Sequence, residues 1–339
     1  MKKKNQTNAI VGAGFAGLSL AYKLAKKGRR VDLYHKDPIG IGASGVASGL
    51  LHPFPAQAAS LSYRGLEGLH HSLVLLNEMQ HFSSDRLYLA SGILKLATED
   101  EQKKSYAQIS LKYESLEFCP REKVKRIASE YLSDPGLYIK NGYTVFCKEY
   151  LLALKKGCDS LGVTFIQKKV ECKDELSGYD NTIFCVGAGI SILDDKPKVK
   201  LVKGQILTIR TQTPITKMSL VSKGYITLTN NPMIYHVGSS YEHKFLDDQP
   251  DLELAKELIF PPFFKILPEI EQGEILRVDA GVRVMNPKNY IPFIKKYSFD
   301  TFAIIGLGSR GLLYHAMLAE ILSEELIHKR DDQNRDFFY

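Results

Sequence analysis

The sequence of 339 residues contains no tryptophan, and its five cysteines include no Cys-x-x-Cys pair. Disulfide frameworks and structural zinc sites both need cysteines or histidines at characteristic spacings, so the sequence argues against either kind of site. No run of about 18 apolar residues occurs, which excludes a helix that spans a bilayer. The net charge is only +7, far below what nucleic-acid packaging proteins carry. We therefore expect a cytoplasmic protein with reduced thiols, no metal and no membrane contact.

The composition is that of a folded globular protein. Hydrophobic residues make up 44% and charged residues 24%, which is enough apolar material for a sizeable core. At about 100 to 200 residues per domain, the length favours two domains. Lys2 to Lys4 precede an apolar stretch and thereby imitate a secretory signal peptide. Because that stretch carries three regularly spaced glycines, we favour a strand, a turn and a helix over a leader.

A glycine fingerprint lies near the start of the chain. Gly12-x-Gly14-x-x-Gly17 stands between a predicted strand that begins at Asn8 and a predicted helix that ends before Gly28, the context of a dinucleotide-binding βαβ unit. Gly12 permits a tight turn, Gly14 lets the backbone approach a pyrophosphate, and Gly17 lets the helix pack closely on the strand. The helix N-terminus attracts the phosphates. A glycine-rich turn that binds nothing is the alternative.

The second predicted strand, Val31 to His35, lacks the acidic residue that usually binds the ribose. That residue is expected about 20 positions after the fingerprint, where this chain has His35, and Asp37 follows two positions later. An imidazole can donate to or accept from a ribose hydroxyl. His35 is therefore a candidate ribose contact, with an ordinary histidine at a strand end as the alternative.

Two further glycine turns follow predicted strands, at residues 187–189 and 306–311. In a parallel sheet they would gather with the first turn at the carboxyl ends of the strands, an arrangement that suits the elongated FAD better than a nicotinamide cofactor. Arg310 and the following helix would stabilise the negative charge of a reduced flavin, unless Arg310 is an ordinary surface arginine. The cofactor contacts predicted in these turns are Gly187, Gly306, Gly308, Ser309, Arg310, Gly311 and Leu312.

The remaining pattern outlines the rest of the chain. Residues 39–55 are rich in Gly, Ala, Ser and Pro, and such long loops are usually functional. Helices are predicted over residues 60–79, 145–161, 252–259 and 312–327, and antiparallel strands over residues 203–241. No internal repeat is present, which excludes solenoids and propellers.

Several segments together resemble the FAD-dependent amine oxidoreductases of the D-amino acid oxidase and glycine oxidase type, and most of all the oxidoreductase domain of the MnmC family of tRNA wobble-uridine modification enzymes. The resemblance runs in order from about residue 8 to residue 325. The segments that carry it are Val31-Asp-Leu-Tyr34, Gly42-Ala-Ser-Gly45, Gly49-Leu-Leu-His-Pro53, Gly204-Gln205, Gly238-Ser-Ser-Tyr241, Gly281-Val-Arg283 and Gly306-Leu-Gly-Ser-Arg-Gly311.

The resemblance implies an α/β protein of two domains. We expect a discontinuous Rossmann-type FAD-binding domain formed by residues 1–85, 140–202 and 276–339. An antiparallel-sheet, α+β substrate domain formed by residues 86–139 and 203–275 would be inserted into it.

The resemblance also implies an activity. Enzymes of the MnmC type use FAD to remove the carboxymethyl group from 5-carboxymethylaminomethyl-uridine in tRNA, so the reacting group is an N-substituted glycine. Arg283 then occupies the position of the carboxylate-binding arginine, with a structural ion pair as the alternative, and Tyr241 and Arg310 complete the expected catalytic set. Further cofactor contacts are implied for Gly42, Ala43, Ser44, Gly49 and Leu50 beside the pyrophosphate and flavin, and for the backbone of Val170 at the adenine.

Two other functions stay open on the sequence alone. One is oxidation of free glycine, sarcosine or a D-amino acid, and the other is a flavin-binding interaction or RNA-binding protein without turnover. Paired basic residues are scattered along the chain, so tRNA as a partner rests on the resemblance and not on charge. The fingerprint lies so near the start that we expect no preceding methyltransferase domain, and a separate methyltransferase would carry out any methyl transfer.

Overall fold

The computed structural model describes residues 6–193, 195–264 and 266–328. The strands are β1 Thr7–Val11, β2 Arg30–His35, β3 Leu50–Leu51, β4 Tyr88–Leu89, β5 Ile93–Leu96, β6 Leu116–Cys119, β7 Gly136–Ile139, β8 Tyr143–Val145, β9 Thr164–Gln167, β10 Asn181–Phe184, β11 Lys200–Arg210, β12 Ser219–Val221, β13 Tyr225–Leu228, β14 Ile234–Gly238, β15 Glu274–Met285, β16 Phe293–Lys296 and β17 Thr301–Ile305. The α-helices are α1 Phe15–Lys26, α2 Ala43–Val46, α3 Gly65–Gln80, α4 Asp100–Ser110, α5 Arg121–Ile127, α6 Cys147–Ser160, α7 Leu252–Ile259, α8 Pro261–Phe264 and α9 Gly311–His328.

A six-stranded sheet contains the predicted βαβ unit, in the order β16-β17-β10-β1-β2-β9. The strands from β17 to β9 are parallel, and only the edge strand β16 runs antiparallel. Ile10 faces a core shared with α1, α3, α6 and α9, whereas Ala9 and Val11 face a second core on the other side of the sheet. Burial on both faces is typical of parallel sheets. The predicted Rossmann-type α/β fold is confirmed.

A larger sheet of eight strands follows the order β15-β11-β14-β13-β12-β5-β7-β6. All its neighbours pair antiparallel except β12 and β5, so the antiparallel strands predicted over residues 203–241 are present. The sheet has its own core, to which α5 and α7 contribute Val124, Ala255 and Ile259. A small third sheet has the order β3-β8-β4. Its strand β3 lies within residues 39–55, which were predicted to form a loop.

Two helix limits differ from the sequence prediction. Helix α3 begins at Gly65 and not at residue 60, because Arg64 adopts a left-handed conformation with a φ of 46° that helical geometry excludes. Helix α6 begins at Cys147, since Val145 pairs in β8. The 12-residue strand β15 was missed by the sequence reading, although it pairs with β11 along nearly its whole length.

The predicted domain limits stay a prediction. Residues 1–5 and 329–339, which that prediction includes, lie outside the described residues. Within the described part of the chain, no helix combines the length and the apolar character that crossing a membrane requires.

Candidate active site

The fingerprint turn is packed so closely that it leaves no room for side chains. A Cβ built on Gly17 would lie 1.8 Å from the Gly12 carbonyl oxygen, and one built on Gly12 would lie 2.3 Å from the Cys185 carbonyl oxygen. Gly12 also has a φ of 110°, which favours glycine. Gly14 caps α1, whose first turn contains no acidic residue. The first N–H groups of α1 therefore keep the positive character that attracts a phosphate.

The three glycine turns meet at one edge of the six-stranded sheet. They follow β1, β10 and β17, which are adjacent and parallel, so their carboxyl ends coincide as the sequence predicted. The backbone at Gly187, Gly306 and Gly308 has φ values of 53°, 80° and 51°. A Cβ on Gly187 would meet no atom within 4 Å, so this turn borders open space.

The loop over residues 39–50 closes onto this edge. Ser44 Oγ accepts a hydrogen bond of 3.2 Å from the Phe15 N–H at the start of α1. Gly42 caps the short helix α2, and the Cα of Ala43 lies 3.0 Å from where Gly281 would carry a Cβ. The loop therefore contacts both the fingerprint turn and strand β15.

The end of this loop is attached to the small sheet. Gly49 has a φ of 85°, and its carbonyl accepts from the Val145 N–H at 2.7 Å. Leu50 pairs with Thr144 of β8. The five loop residues predicted to approach the cofactor thus lie on one continuous segment between α1 and β8.

Strand β15 connects the loop with the third glycine turn. Gly281 packs against Ala43, and Met285 bridges to Leu307 within the turn that follows β17. Alternate residues of a strand share a face, so Arg283 lies on the same face as Gly281, between the two contacts. The strand that the sequence reading missed is the element that brings Arg283 to the glycine turns.

Arg283 is half-buried and held by neutral partners. Its Nη2 donates to Ser239 Oγ at 3.3 Å and to the Ser240 carbonyl at 3.2 Å, and its Cζ lies 5.5 Å from the centre of the Tyr241 ring. The guanidinium lies across Gly204, where a Cβ would come within 2.1 Å of Nη2. Among the described residues, Arg283 forms no ion pair. The alternative of a structural ion pair therefore finds no support.

Comparison with protein families identifies the family of the chain. A family model described as FAD dependent oxidoreductase (DAO) matches residues 8–325. The chain belongs to this family of FAD-dependent oxidoreductases. FAD is accordingly its cofactor, and oxidation and reduction are its chemistry.

The similar proteins include MnmC proteins and glycine oxidases. The bifunctional tRNA 5-methylaminomethyl-2-thiouridine biosynthesis protein MnmC of Pseudoalteromonas atlantica is 24% identical, over 94% of this chain and 55% of that protein. Glycine oxidase of Geobacillus kaustophilus is 23% identical, over 95% of this chain and 93% of that protein. The crystal structure of that glycine oxidase superposes with a TM-score of 0.83 at 19% identity, covering 96% of both chains. The chain spans about half the length of the MnmC proteins it matches.

The site fits FAD. The fingerprint turn and the N-terminus of α1 would hold the pyrophosphate, as the missing side chains at Gly12 and Gly17 permit. The loop with Ala43 and Ser44 and the turn after β17 would flank the flavin. When bound, FAD supplies a hydride acceptor.

The residues predicted to contact the adenosine lie at the end of β2 and after β9, strands on the opposite side of β1 from β10 and β17. His35 ends β2, and its Nδ1 is 2.9 Å from the Asp37 carbonyl oxygen within its own turn. Val170 follows β9, the neighbour of β2, and its side chain is buried in the core beneath the sheet. The adenine contact predicted for Val170 would therefore have to be made by its backbone.

Arg310 lies in the third glycine turn next to Tyr314. Burial raises the pKa of Tyr314, while the charge of Arg310 and a hydrogen bond to it oppose the rise. Tyr314 also donates to the Tyr63 carbonyl at 2.6 Å. Arg310 is therefore anchored beside the first turn of α9, with Gly311 and Leu312 directly after it.

Two residues near Arg283 had no role predicted from the sequence, although Gln205 belongs to one of the segments that carry the resemblance. The first is Tyr225 on β13. Burial raises the pKa of Tyr225, and the charge of Arg283 and the side chains of Ser239 and Ser48 oppose the rise. Its hydroxyl also lies 3.0 Å from where Gly238, next to Ser239, would carry a Cβ. No motif distinguishes Tyr225 from the other 17 of the 18 tyrosines.

Gln205 is the second such neighbour, and it holds the segment that follows β14. Its side chain donates to Glu242 Oε1 at 3.1 Å and accepts from the Asp251 N–H at 2.6 Å. Its backbone N–H donates to Ser240 Oγ at 2.8 Å. Because Ser240 presents its carbonyl to Arg283, fully buried Gln205 fixes the direction of the guanidinium.

His52 takes no proton at neutral pH. Burial, assisted by the nearby charge of Lys95, lowers its pKa to about 3. Its Nδ1 accepts from the Phe54 N–H at 3.3 Å.

Proposed function

We propose that this FAD-dependent oxidoreductase removes the carboxymethyl group from 5-carboxymethylaminomethyl-uridine in tRNA. The names of the MnmC relatives, which refer to tRNA 5-methylaminomethyl-2-thiouridine biosynthesis, support a tRNA substrate. That substrate would place the enzyme in the cytoplasm, where its five free cysteines stay reduced. A separate methyltransferase would act on the aminomethyl product.

The position of Arg283 is the main support for this function. Arg283 lies between the glycine turns and the flavin-flanking loop, and no described carboxylate neutralises it. A guanidinium offers two parallel donors that match a carboxylate. We therefore assign Arg283 as the anchor of the glycine-like tail of the substrate, with Tyr241 and Tyr225 beside it.

The chemistry needs positioning more than acid–base groups. The carbon between the amine nitrogen and the carboxylate would give up its C–H bond as a hydride, for which bound FAD would supply the acceptor, while the nitrogen lone pair forms the C=N bond. Water then adds to this imine, and the C–N bond breaks to release glyoxylate and the aminomethyl nucleoside. An external acceptor takes the two electrons. Arg283 would hold the reacting carbon in place, and such orientation contributes much of the rate.

Oxidation of free glycine or sarcosine is the second candidate. The glycine oxidase of Geobacillus kaustophilus, which matches along nearly the whole chain, supports it. The exposure of Tyr241 argues against this candidate. The residue is 51% accessible although its ring lies beside Arg283. An enzyme for a small substrate closes over it to exclude water, whereas a tRNA base needs an open approach.

Anaerobic mixing of the FAD-loaded protein with glycine, with sarcosine and with tRNA that carries the modified uridine tests both candidates. We expect the tRNA to bleach the flavin absorbance faster at equal concentration. Bleaching by the free amino acids alone would refute the tRNA proposal, and no bleaching by any amine would favour a protein without turnover.

The role of Arg283 is tested with a matched pair of variants. Arg283→Ala should retain FAD but lose about 100-fold or more in kcat/KM, because it removes two charge-assisted hydrogen bonds. Arg277→Ala on the same strand removes only the exposed contact with Asp279 at 2.6 Å and should react as the wild type does. Normal turnover of Arg283→Ala would remove Arg283 from the anchor role.

A further inference from the structure

A group of exposed aromatic rings borders Arg283. Tyr241 and Tyr290 are 51% and 52% accessible, and the exposed His243 ring lies 4.9 Å from Tyr241 at an interplanar angle of 86°. Burial raises the pKa of Tyr241 against the opposing charge of Arg283, and nearby Tyr290 adds to the rise. These three residues, here called the aromatic platform, come from the segments after β14 and β15.

The platform is held in place. The Tyr241 hydroxyl donates to Met285 Sδ at 3.4 Å, and the backbone that carries its ring is paired to β11 through Glu242 and Lys203. The loop of Tyr290 is closed by the Tyr290 N–H, which donates to the Asn286 carbonyl at 3.1 Å. Large aromatic rings that are exposed and yet fixed are typical of binding surfaces.

Two lysines flank the platform. Lys244 and Lys288 are exposed on the same two segments, and neither forms an ion pair with another described residue. Lysines in this situation can contact phosphates, while aromatic rings stack on unpaired bases. The combination favours a single-stranded nucleic acid over an apolar protein surface.

The dimensions suit the substrate proposed above. Four covalent bonds of about 1.5 Å separate the carboxylate carbon from C5 of the uracil, an extended length of about 5 Å. A carboxylate paired with Arg283 would sit about 4 Å from Cζ, and Tyr241 lies 5.5 Å from the same atom. The uracil can therefore reach stacking distance, about 4.5 to 7 Å between ring centres.

We propose that the aromatic platform of Tyr241, His243 and Tyr290 is a nucleobase subsite, which stacks the wobble uracil or its neighbour while Arg283 holds the carboxylate. The subsite rests on the tRNA activity proposed above. It selects the modified nucleoside over free N-substituted glycines, because those lack a base to stack.

The test uses FAD-loaded protein and an anticodon stem–loop RNA that carries 5-carboxymethylaminomethyl-uridine. Stopped-flow flavin reduction gives the apparent Kd and the limiting rate for wild type, His243→Ala, Tyr290→Ala and Tyr290→Phe. The loss of one stacked ring should raise the Kd about 5- to 150-fold, and Tyr290→Phe should restore most of the affinity. Tyr131→Ala removes an exposed ring elsewhere, 42% accessible, and is the matched control.

A second readout separates the subsite from the anchor. Acetate, a small carboxylate without a base, is titrated against the flavin absorbance, and its Kd should change less than twofold in His243→Ala and Tyr290→Ala. Parallel losses for acetate and RNA would show a general disturbance of Arg283 and overturn the subsite. Unchanged RNA affinity in both alanine variants would overturn it as well.

The experiment distinguishes failure of the proposed tRNA activity from failure of the subsite alone. If the wild-type flavin is not reduced by the RNA, the proposed function and the subsite both fall. If the wild type reacts and the variants match it, only the subsite falls. Self-association of the wild type that His243→Ala abolishes would assign the platform to protein contacts and also overturn the subsite.

Discussion

Lys95 should make the stability of this protein rise with pH above neutrality. It lies on β5 with 2% of its surface exposed, and its Nζ donates to the Phe54 carbonyl at 3.2 Å and to the Ala56 carbonyl. Among the described residues it has no carboxylate partner. Burial lowers its pKa from 10.5 to about 7.

The direction of this pH dependence follows from the number of protons that the folded and unfolded chains bind. Between about pH 7 and 10.5 the unfolded chain carries a proton on this amine that the folded chain has lost, so the free energy of unfolding increases with pH. Below about pH 7 the folded protein bears the full cost of a buried charge. At about 1.36 kcal/mol per pH unit, the difference between the two values amounts to at most about 5 kcal/mol.

The substitution Lys95→Met keeps the apolar stem and removes the charge. The variant should lose the rise between pH 7 and 10 and should equal or exceed the wild type in stability at pH 6. At pH 10 it should be less stable, because each unpaired carbonyl costs about 1 to 3 kcal/mol. The two profiles are therefore expected to cross.

Urea unfolding followed by far-ultraviolet circular dichroism from pH 6 to 10 measures both profiles. Except for His52, whose pKa the charge of Lys95 helps to lower, the other titrating groups contribute equally to wild type and variant, so the difference above pH 7 reports on Lys95. Lys104→Met, at an exposed position on α4, should leave the wild-type profile unchanged. Parallel profiles for wild type and Lys95→Met would refute the reasoning.

Two further predictions concern the site. Gly17→Ala forces a Cβ to 1.8 Å from a backbone oxygen. The variant should be destabilised by about 1 to 3 kcal/mol or more and should lose bound FAD, which the visible flavin absorbance would report. Gly178→Ala, with open space around its Cβ, is the control, and equal flavin content in both variants would count against the packing role. Gln205→Leu removes the amide donor to Glu242, the carboxylate that also accepts from Ser240 Oγ. The Ser240 segment should then shift, so the KM for the carboxylate substrate should rise more than kcat falls, with FAD retained. The exposed Gln249→Leu should show neither effect, and an unchanged KM in Gln205→Leu would exclude the positioning role.

Local sequence patterns predicted most strands of the six-stranded sheet. The fingerprint, the strand β2 and the strands before the other two glycine turns all lay in short apolar runs, and α7 was predicted at its observed limits. Strand β15 was missed because charged residues such as Arg277, Asp279 and Arg283 interrupt its apolar alternation. Those side chains are tolerated since most of the strand is only partly buried.

No roles for Tyr225 and Gln205 could be predicted from the sequence, although Gln205 lies in a segment that carries the resemblance. Their neighbours are distant in the chain, Arg283 for Tyr225 and Glu242 for Gln205. Arg283, by contrast, was found through a family resemblance that extended over nearly the whole chain.

The sequence by itself determined the class of cofactor and the βαβ unit, because the spacing of the three glycines and the apolar runs on either side of them are local patterns. The tertiary structure alone decided that β15 runs from the flavin-flanking loop to the third glycine turn. It also decided that Arg283 points to neutral partners beside an exposed aromatic surface. Pairing of β11 with β15 joins residues some 75 positions apart, and no local pattern specifies which distant strand will complete a sheet.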